Sequence, residues 1–164
     1  MIGFKATFRY RCVAFLFVSM LMACAAHTRD GAMADAQAEG ADRTLRTVEL
    51  GLCALYERTT PASSDTPNRP RFLMLNGVPA TSLIYENLAA RLAHDFGVVS
   101  ILLDLPGTGG STLATTPYTW KQQGDCLHKY IQEQGELILV LHDIAAPIVV
   151  PRLPRLRNVR GVVV

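Results

Sequence analysis

Covalent catalysis needs a nucleophilic atom fixed at a defined point of a fold, and this chain offers one at the end of its most apolar run. Glu136-Leu-Ile-Leu-Val-Leu-His-Asp-Ile-Ala-Ala-Pro147 passes from aliphatic residues to His142-Asp143 and then to small side chains. Leu137 to Leu141 has no polar alternation and is too short for a free-standing helix, so it predicts a parallel strand buried on both faces. His142 to Ala146 is then the turn at the strand's carboxyl end, the edge where open α/β sheets bind ligands. A helix starting there aims its free N–H groups and positive dipole end at whatever lies above. Asp143 is thus a candidate nucleophile. It also reads as a helix N-cap, and the two roles are compatible.

The other reactive side chains point elsewhere. Asp104, in Asp104-Leu-Pro-Gly-Thr-Gly-Gly-Ser111, is expected to hold its own loop by hydrogen bonds. Gly107, Gly109 and Gly110 read as turn formers. No dinucleotide-binding pattern surrounds them and no Gly-Lys-Ser/Thr follows, so no cofactor is implied. The His and Cys residues lack the short spacings of a metal site. His27 falls in a linker, and His94 and His128 are expected as exposed helix residues. Cys53 and Cys126 are expected to be buried free thiols, although an oxidising compartment would permit a bridge.

The elements that must position Asp143 follow from patterning. Thr47 to Thr59 alternates as a strand or an early hairpin, and Pro61 to Pro70 is a loop. Arg71 to Leu75 is a buried strand ended by Asn76-Gly-Val-Pro. Leu83 to Phe96 has helical apolar spacing, with Thr81 or Ser82 available as its cap and Gly97 as its stop. Val98 to Leu103 is a third apolar strand. Trp120 to Gln134 is a helix packing through Cys126, Leu127, Tyr130 and Ile131, with Gly135 closing it. After Leu137 to Leu141 come a short helix interrupted by Pro151 and Pro154 and a last strand, Val159 to Val164. This alternation predicts an α/β fold, a mostly parallel sheet with crossover helices.

The N-terminus reads as an address. Met1 to Ala23 has a basic front (Lys5, Arg9, Arg11), an apolar middle (Val13 to Met22) and a small residue before Cys24. Leu21-Met-Ala-Cys24 resembles the bacterial lipobox, with Met22 its loose fit, which implies cleavage and lipidation of Cys24. The apolar middle falls short of the about 20 residues that span a bilayer. A plain cleaved signal with an incidental cysteine is the alternative. No Asp follows Cys24, and resemblance to sorted lipoproteins implies the outer membrane, facing the periplasm. Residues 24–46 read as a flexible tether and 47–164 as the folded domain. Net charge is +2 with 18% charged residues, so no nucleic-acid partner is implied. Arg152, Arg155, Arg157 and Arg160 read as the solvated side of a connection.

Three loops at three successive strand ends match one family in order and spacing. The region 47–164 resembles the N-terminal half of the α/β-hydrolase fold, truncated after about the sixth strand. Asn76-Gly77-Val78-Pro79 is similar to its His-Gly-x-Pro oxyanion loop, and residues 104–111 to its Asp-x-Pro-Gly-x-Gly-x-Ser loop. Tyr118 suits the tyrosine that often begins the next helix. His142 to Pro147 occupies the nucleophile elbow, whose strained turn takes small residues two places either side of the nucleophile. Ala145 meets that demand and Leu141 departs from it. Asp as nucleophile after His resembles the epoxide-hydrolase and haloalkane-dehalogenase branch. That branch usually has Trp or Arg where this chain has Ile144, and the dehalogenases tend to have Asn in place of Val78.

The resemblance implies two-step catalysis on a small molecule. Asp143 would attack an epoxide or ester-like carbon. The backbone N–H groups of Val78 and Ile144 would hold the oxyanion when water later cleaves the ester. The histidine and carboxylate for that second step fall after the sixth strand in the family, and His142 has its ring turned away from the pocket in that pattern. Two readings follow: part of an exported, lipid-anchored hydrolase, or a non-catalytic, degenerate hydrolase-like lipoprotein acting as a binding module.

Overall fold

A computed structural model of the protein describes residues 43–62, 69–113 and 119–164. The expected signal segment, Cys24, His27, Tyr118 and most of the expected tether lie outside the described residues.

The N-terminal elements form a hairpin. β1 (Thr44–Glu49) pairs antiparallel with β2 (Cys53–Thr60) across a tight turn in which Gly51 has φ 83°. Thr44, Leu45 and Arg46, expected as tether, are paired in this hairpin. The remaining strands are β3 (Arg71–Leu75), β4 (Ser100–Leu103), β5 (Thr112–Leu113), β6 (Leu137–Leu141) and β7 (Val159–Val163). The sheet runs β1-β2-β4-β3-β6-β7, with the short β5 pairing β2. β4, β3, β6 and β7 are mutually parallel, and β2 meets β4 and β5 antiparallel.

Helices cover both faces. α1 (Glu86–Phe96) follows a 3₁₀ turn at Ser82–Tyr85 and ends at Gly97, whose left-handed φ of 62° sends its N–H back to Ala93. Neither Thr81 nor Ser82 caps it with a side chain. α2 (Trp120–Gln132) opens with a capping box, in which Thr119 and Gln122 each satisfy the other's backbone N–H. It ends at Glu133, before Gly135. α3 (Ala145–Val149) runs into a 3₁₀ segment, Val150–Arg155, where Pro154 keeps the helix from continuing.

The core lies mainly between the sheet and α2 with α3. Leu73, Leu75, Ile101, Leu103, Leu137, Leu139 and Leu141 meet Leu127, Tyr130, Ile131, Ile148 and Val149 there. Each fully buried aliphatic contributes about 2 kcal/mol relative to exposure. β6 is buried on this face only. Ile138 and Val140, on the other, are half-buried, because α1 lies over β4 and β2.

A covalent bond fastens α2 to the sheet. Cys53 and Cys126 form a disulfide with Cα atoms 6.3 Å apart, which corrects the expectation of free thiols. The pairing follows from register: Cys53 begins β2 with its side chain on the face that α2 covers. On the same face Tyr130 donates to Glu57 at 2.6 Å and Lys129 to the Leu50 carbonyl at 3.1 Å.

Candidate active site

β3 sends its crossover toward β4, and β6 sends its own the other way, toward β7. The two neighbours therefore diverge at their carboxyl ends and leave a crevice between their loops. Asn76-Gly77-Val78 and His142-Asp143-Ile144 both open there.

The turn after β6 is tight. The His142 N–H still donates to the Leu75 carbonyl, continuing the parallel ladder by one residue. Ala145 N–H then donates to the His142 carbonyl and Ala146 N–H to the Asp143 carbonyl, both at 3.1 Å. Reversing a strand into a helix in so few residues forces one residue into the left-handed region. Asp143 takes it, with φ 52°, and among the described residues no other non-glycine has positive φ. Ala145 is wholly buried beneath the turn. Leu141 is also buried, packed into the core with its backbone still in β6, so the turn forms despite its bulk. The N-cap expectation is corrected: the residue preceding α3 is Ile144, and no side chain caps that helix.

The facing loop comes within contact of Asp143. A Cβ placed on Gly77 would stand 2.6 Å from the Asp143 Cβ, 2.7 Å from its Oδ2 and 2.9 Å from the His142 Nδ1. Both side chains thus lie over Gly77, and His142 does not turn away from this loop. The loop is pinned from below by Asn76, wholly buried, whose Nδ2 donates to the carbonyls of Gly77 (3.0 Å) and Ala80 (2.5 Å). Tyr85 adds a hydrogen bond from its hydroxyl to the Leu75 carbonyl. The N–H groups of Val78 and Ile144 donate to no partner among the described residues. Two free donors therefore flank the crevice beside a carboxylate.

The loop after β4 is held by charge. Asp104 is fully buried and accepts from the N–H groups of Ser82 (2.8 Å) and Gly110 (2.9 Å) and from Arg58 (3.3 Å). Burial alone would push its carboxyl up. Those donors outweigh burial and hold it below the usual carboxylate range. Gly109, at φ 53°, lies against the carboxylate where no side chain fits. Asp104 thus holds its loop, as its sequence context predicts. Arg58 also donates to the Ser82 hydroxyl at 2.5 Å, tying this loop to the segment that leaves the Gly77 loop. No motif in the chain marks Arg58, because its partners come from distant loops.

The other candidates are scattered. His94 is exposed and contacts Asp95. His128 differs from the exposed residue expected: it is half-buried, and its Nδ1 lacks a partner among the described residues. Among those residues no cluster of three or more His, Cys, Asp or Glu could hold a metal ion.

This arrangement of strands, elbow and loops has close structural parallels. Haloalkane dehalogenase DbeA from Bradyrhizobium elkanii, as its M1 loop variant, superposes on 74% of this chain with TM-score 0.62 and 28% identity. The fold is that of the α/β hydrolases. The same α/β-hydrolase fold is shared by the thioesterase domain from the curacin biosynthetic pathway, at TM-score 0.61 and 22% identity over 73% of this chain. It is shared too by the epoxide hydrolase CorEH, at 0.60 and 15% over 74%. The chain spans 40%, 43% and 41% of the length of these three proteins, respectively. No protein-family model matches the sequence, and no curated protein matches it. The neighbours are hydrolases of several chemistries, so the likeness fixes the fold and leaves the reaction to the site.

Proposed function

We propose that residues 43–164 form the nucleophile-bearing part of an exported α/β-hydrolase that acts on an epoxide, ester or related small electrophile through a covalent intermediate on Asp143. One observation carries this reading: the residue in the left-handed turn after β6 is a carboxylate, exposed, and in contact range of Gly77.

The chemistry proceeds in two steps. An Asp143 carboxylate oxygen attacks the electrophilic carbon; the carbon–oxygen bond of the epoxide breaks, and the departing oxygen takes a proton from solvent water. Water then adds to the ester carbonyl, giving its proton to a base; the oxyanion that develops accepts from the Val78 and Ile144 N–H groups, and its collapse breaks the acyl carbon–oxygen bond, releasing the product alcohol and restoring the Asp143 carboxylate. Each such donor is worth about 3 kcal/mol of transition-state stabilisation. The resemblance assigns the base for the second step to a histidine oriented by a carboxylate and lying after the sixth strand; of the described histidines, His94 and His128 lie on helices and His142 immediately precedes the nucleophile.

Export and anchoring through Cys24, with the protein facing the periplasm, complete the proposal. The Cys53–Cys126 disulfide supports the exported part, because such bonds persist in oxidising compartments. Replacing Cys24 with Ser is expected to release the protein from the membrane fraction; a Cys24→Ser protein that stays acylated would refute the anchor.

A second reading, a hydrolase-like binding module, draws on Leu141 and Ile144, which depart from the active branch. The two readings separate in one experiment. The full chain is incubated with a reactive terminal epoxide and analysed by peptide mass spectrometry. An adduct on Asp143 that disappears in Asp143→Asn supports the hydrolase. An adduct on another carboxylate, or none at all, removes the nucleophile assignment.

A further inference from the structure

The edge of the sheet opposite Asp143 carries a second polar feature. Between the end of α2 and the turn that enters β7 lies an open cleft of about 290 Å³, lined by Gln132, Arg155, Arg157 and Asn158. Every lining residue is polar, and two are cations.

The four arginines of this region have divided roles. The Arg152 guanidinium is used up structurally: it donates to the carbonyls of Ile148 and Lys121 and to the Asp125 carboxylate, over Gly124 of α2. Arg160 pairs with Glu136. Arg155 and Arg157 are exposed and have neither an ion pair nor a hydrogen-bond partner among the described residues.

The backbone presents these two together. Leu156, between them, is buried, with φ −103° and ψ 90°. Arg155 closes the 3₁₀ segment and Arg157 stands in the turn after Leu156, and both line the cleft. The turn itself is fixed, since Leu156 N–H donates to the Leu153 carbonyl and its own carbonyl accepts from Val159. A helix C-terminus would ordinarily repel an anion here. Asn158 removes much of that opposition by donating its Nδ2 to the carbonyls of Ile131, Gln134 and Gly135.

We propose that this cleft binds a phosphate group, gripped by the guanidinium forks of Arg155 and Arg157 with the Gln132 amide as a further donor. The same chemistry serves a free phosphate and the phosphodiester of a lipid headgroup. The site is independent of the Asp143 reading.

The test uses the full chain with its disulfide intact. Inorganic phosphate and, separately, dihexanoyl-phosphatidylglycerol below its micellar concentration are titrated while the arginine Nε–Hε resonances and the heat of binding are followed. Saturable binding of at least one probe is expected. Its affinity should drop about tenfold or more in Arg155→Gln/Arg157→Gln and stay unchanged in the control Arg91→Gln, which removes a cation elsewhere. The Arg155→Lys/Arg157→Lys protein, which keeps charge but loses the forks, should fall between, and it guards against a Gln variant that fails to fold. Phosphate bound alone identifies a free-phosphate site; the lipid bound, with or without phosphate, identifies a headgroup site. Binding of neither probe, or equal weakening in Arg91→Gln, overturns the proposal.

Discussion

Gly77 and Asp143 are packed so closely that a single methyl group on the glycine would stand 2.6 Å from the aspartate Cβ. The two loops of the crevice are therefore not independently placed, and the facing loop has no freedom to carry a side chain at this point. Gly77→Ala should force the loops apart at a cost of about 1–3 kcal/mol, as overpacking of a tight contact does. Urea unfolding of the disulfide-intact protein measures this. A cost well under about 1 kcal/mol would mean that the loops sit farther apart.

The left-handed backbone of Asp143 makes a second prediction, separable from chemistry. Asn tolerates φ of 52° about as well as Asp, whereas a β-branched side chain there is a steric outlier. Asp143→Val should thus be about 1–2 kcal/mol less stable than Asp143→Asn. The position is exposed, so lost burial does not confound the comparison. Equal stabilities would show that the turn is not left-handed.

Glu57 should make the fold acid-sensitive. It is buried, and burial alone would raise its carboxyl. Arg46 on two oxygens at 3.0 Å, the Tyr130 hydroxyl and the Thr59 hydroxyl at 2.9 Å instead hold it below its ordinary value. A depressed folded-state value stabilises the protein above the unfolded value, near about pH 4, and that stability is lost as pH falls through the folded value. Glu57→Gln should cost about 2–3 kcal/mol at neutral pH. It should also flatten the fall in stability below about pH 4, a fall to which Asp104 contributes with the same sign. A Glu57→Gln protein with the parent's acid profile would contradict this.

The disulfide closes a loop between residues 73 apart. By the chain-entropy account, its removal by Cys53→Ala/Cys126→Ala should cost roughly 4 kcal/mol. Thiol titration adds a second check: no thiol from either residue should react in the native protein until reductant is added. Reaction without reductant would show that the bond is absent.

Much of the architecture was legible because burial writes itself into the chain. Arg71-Phe-Leu-Met-Leu75, Ser100-Ile-Leu-Leu103 and Leu137-Ile-Leu-Val-Leu141 are apolar enough to declare strands on their own. The turn at Asp143 was legible because small residues follow it. What escaped depended on partners far apart in sequence. The bond between Cys53 and Cys126 exists only once α2 is laid over β2, and a sequence does not display that register. Glu57 passed as one member of an alternating strand, since its partners Arg46 and Tyr130 come from β1 and α2. His128 read as an exposed helix residue because the helical period leaves flanking positions undecided.

The cross-link between Cys53 and Cys126 also turns the stretch between them into a covalent ring. That ring contains β3, α1, β4 and β5, and with them the Gly77 and Asp104 loops. A protease that cuts anywhere between the two cysteines would open the ring without releasing a fragment. The nicked protein would run as one band until reduced and as two afterwards. A single loop cut thus leaves the Gly77 and Asp143 loops tethered in one molecule.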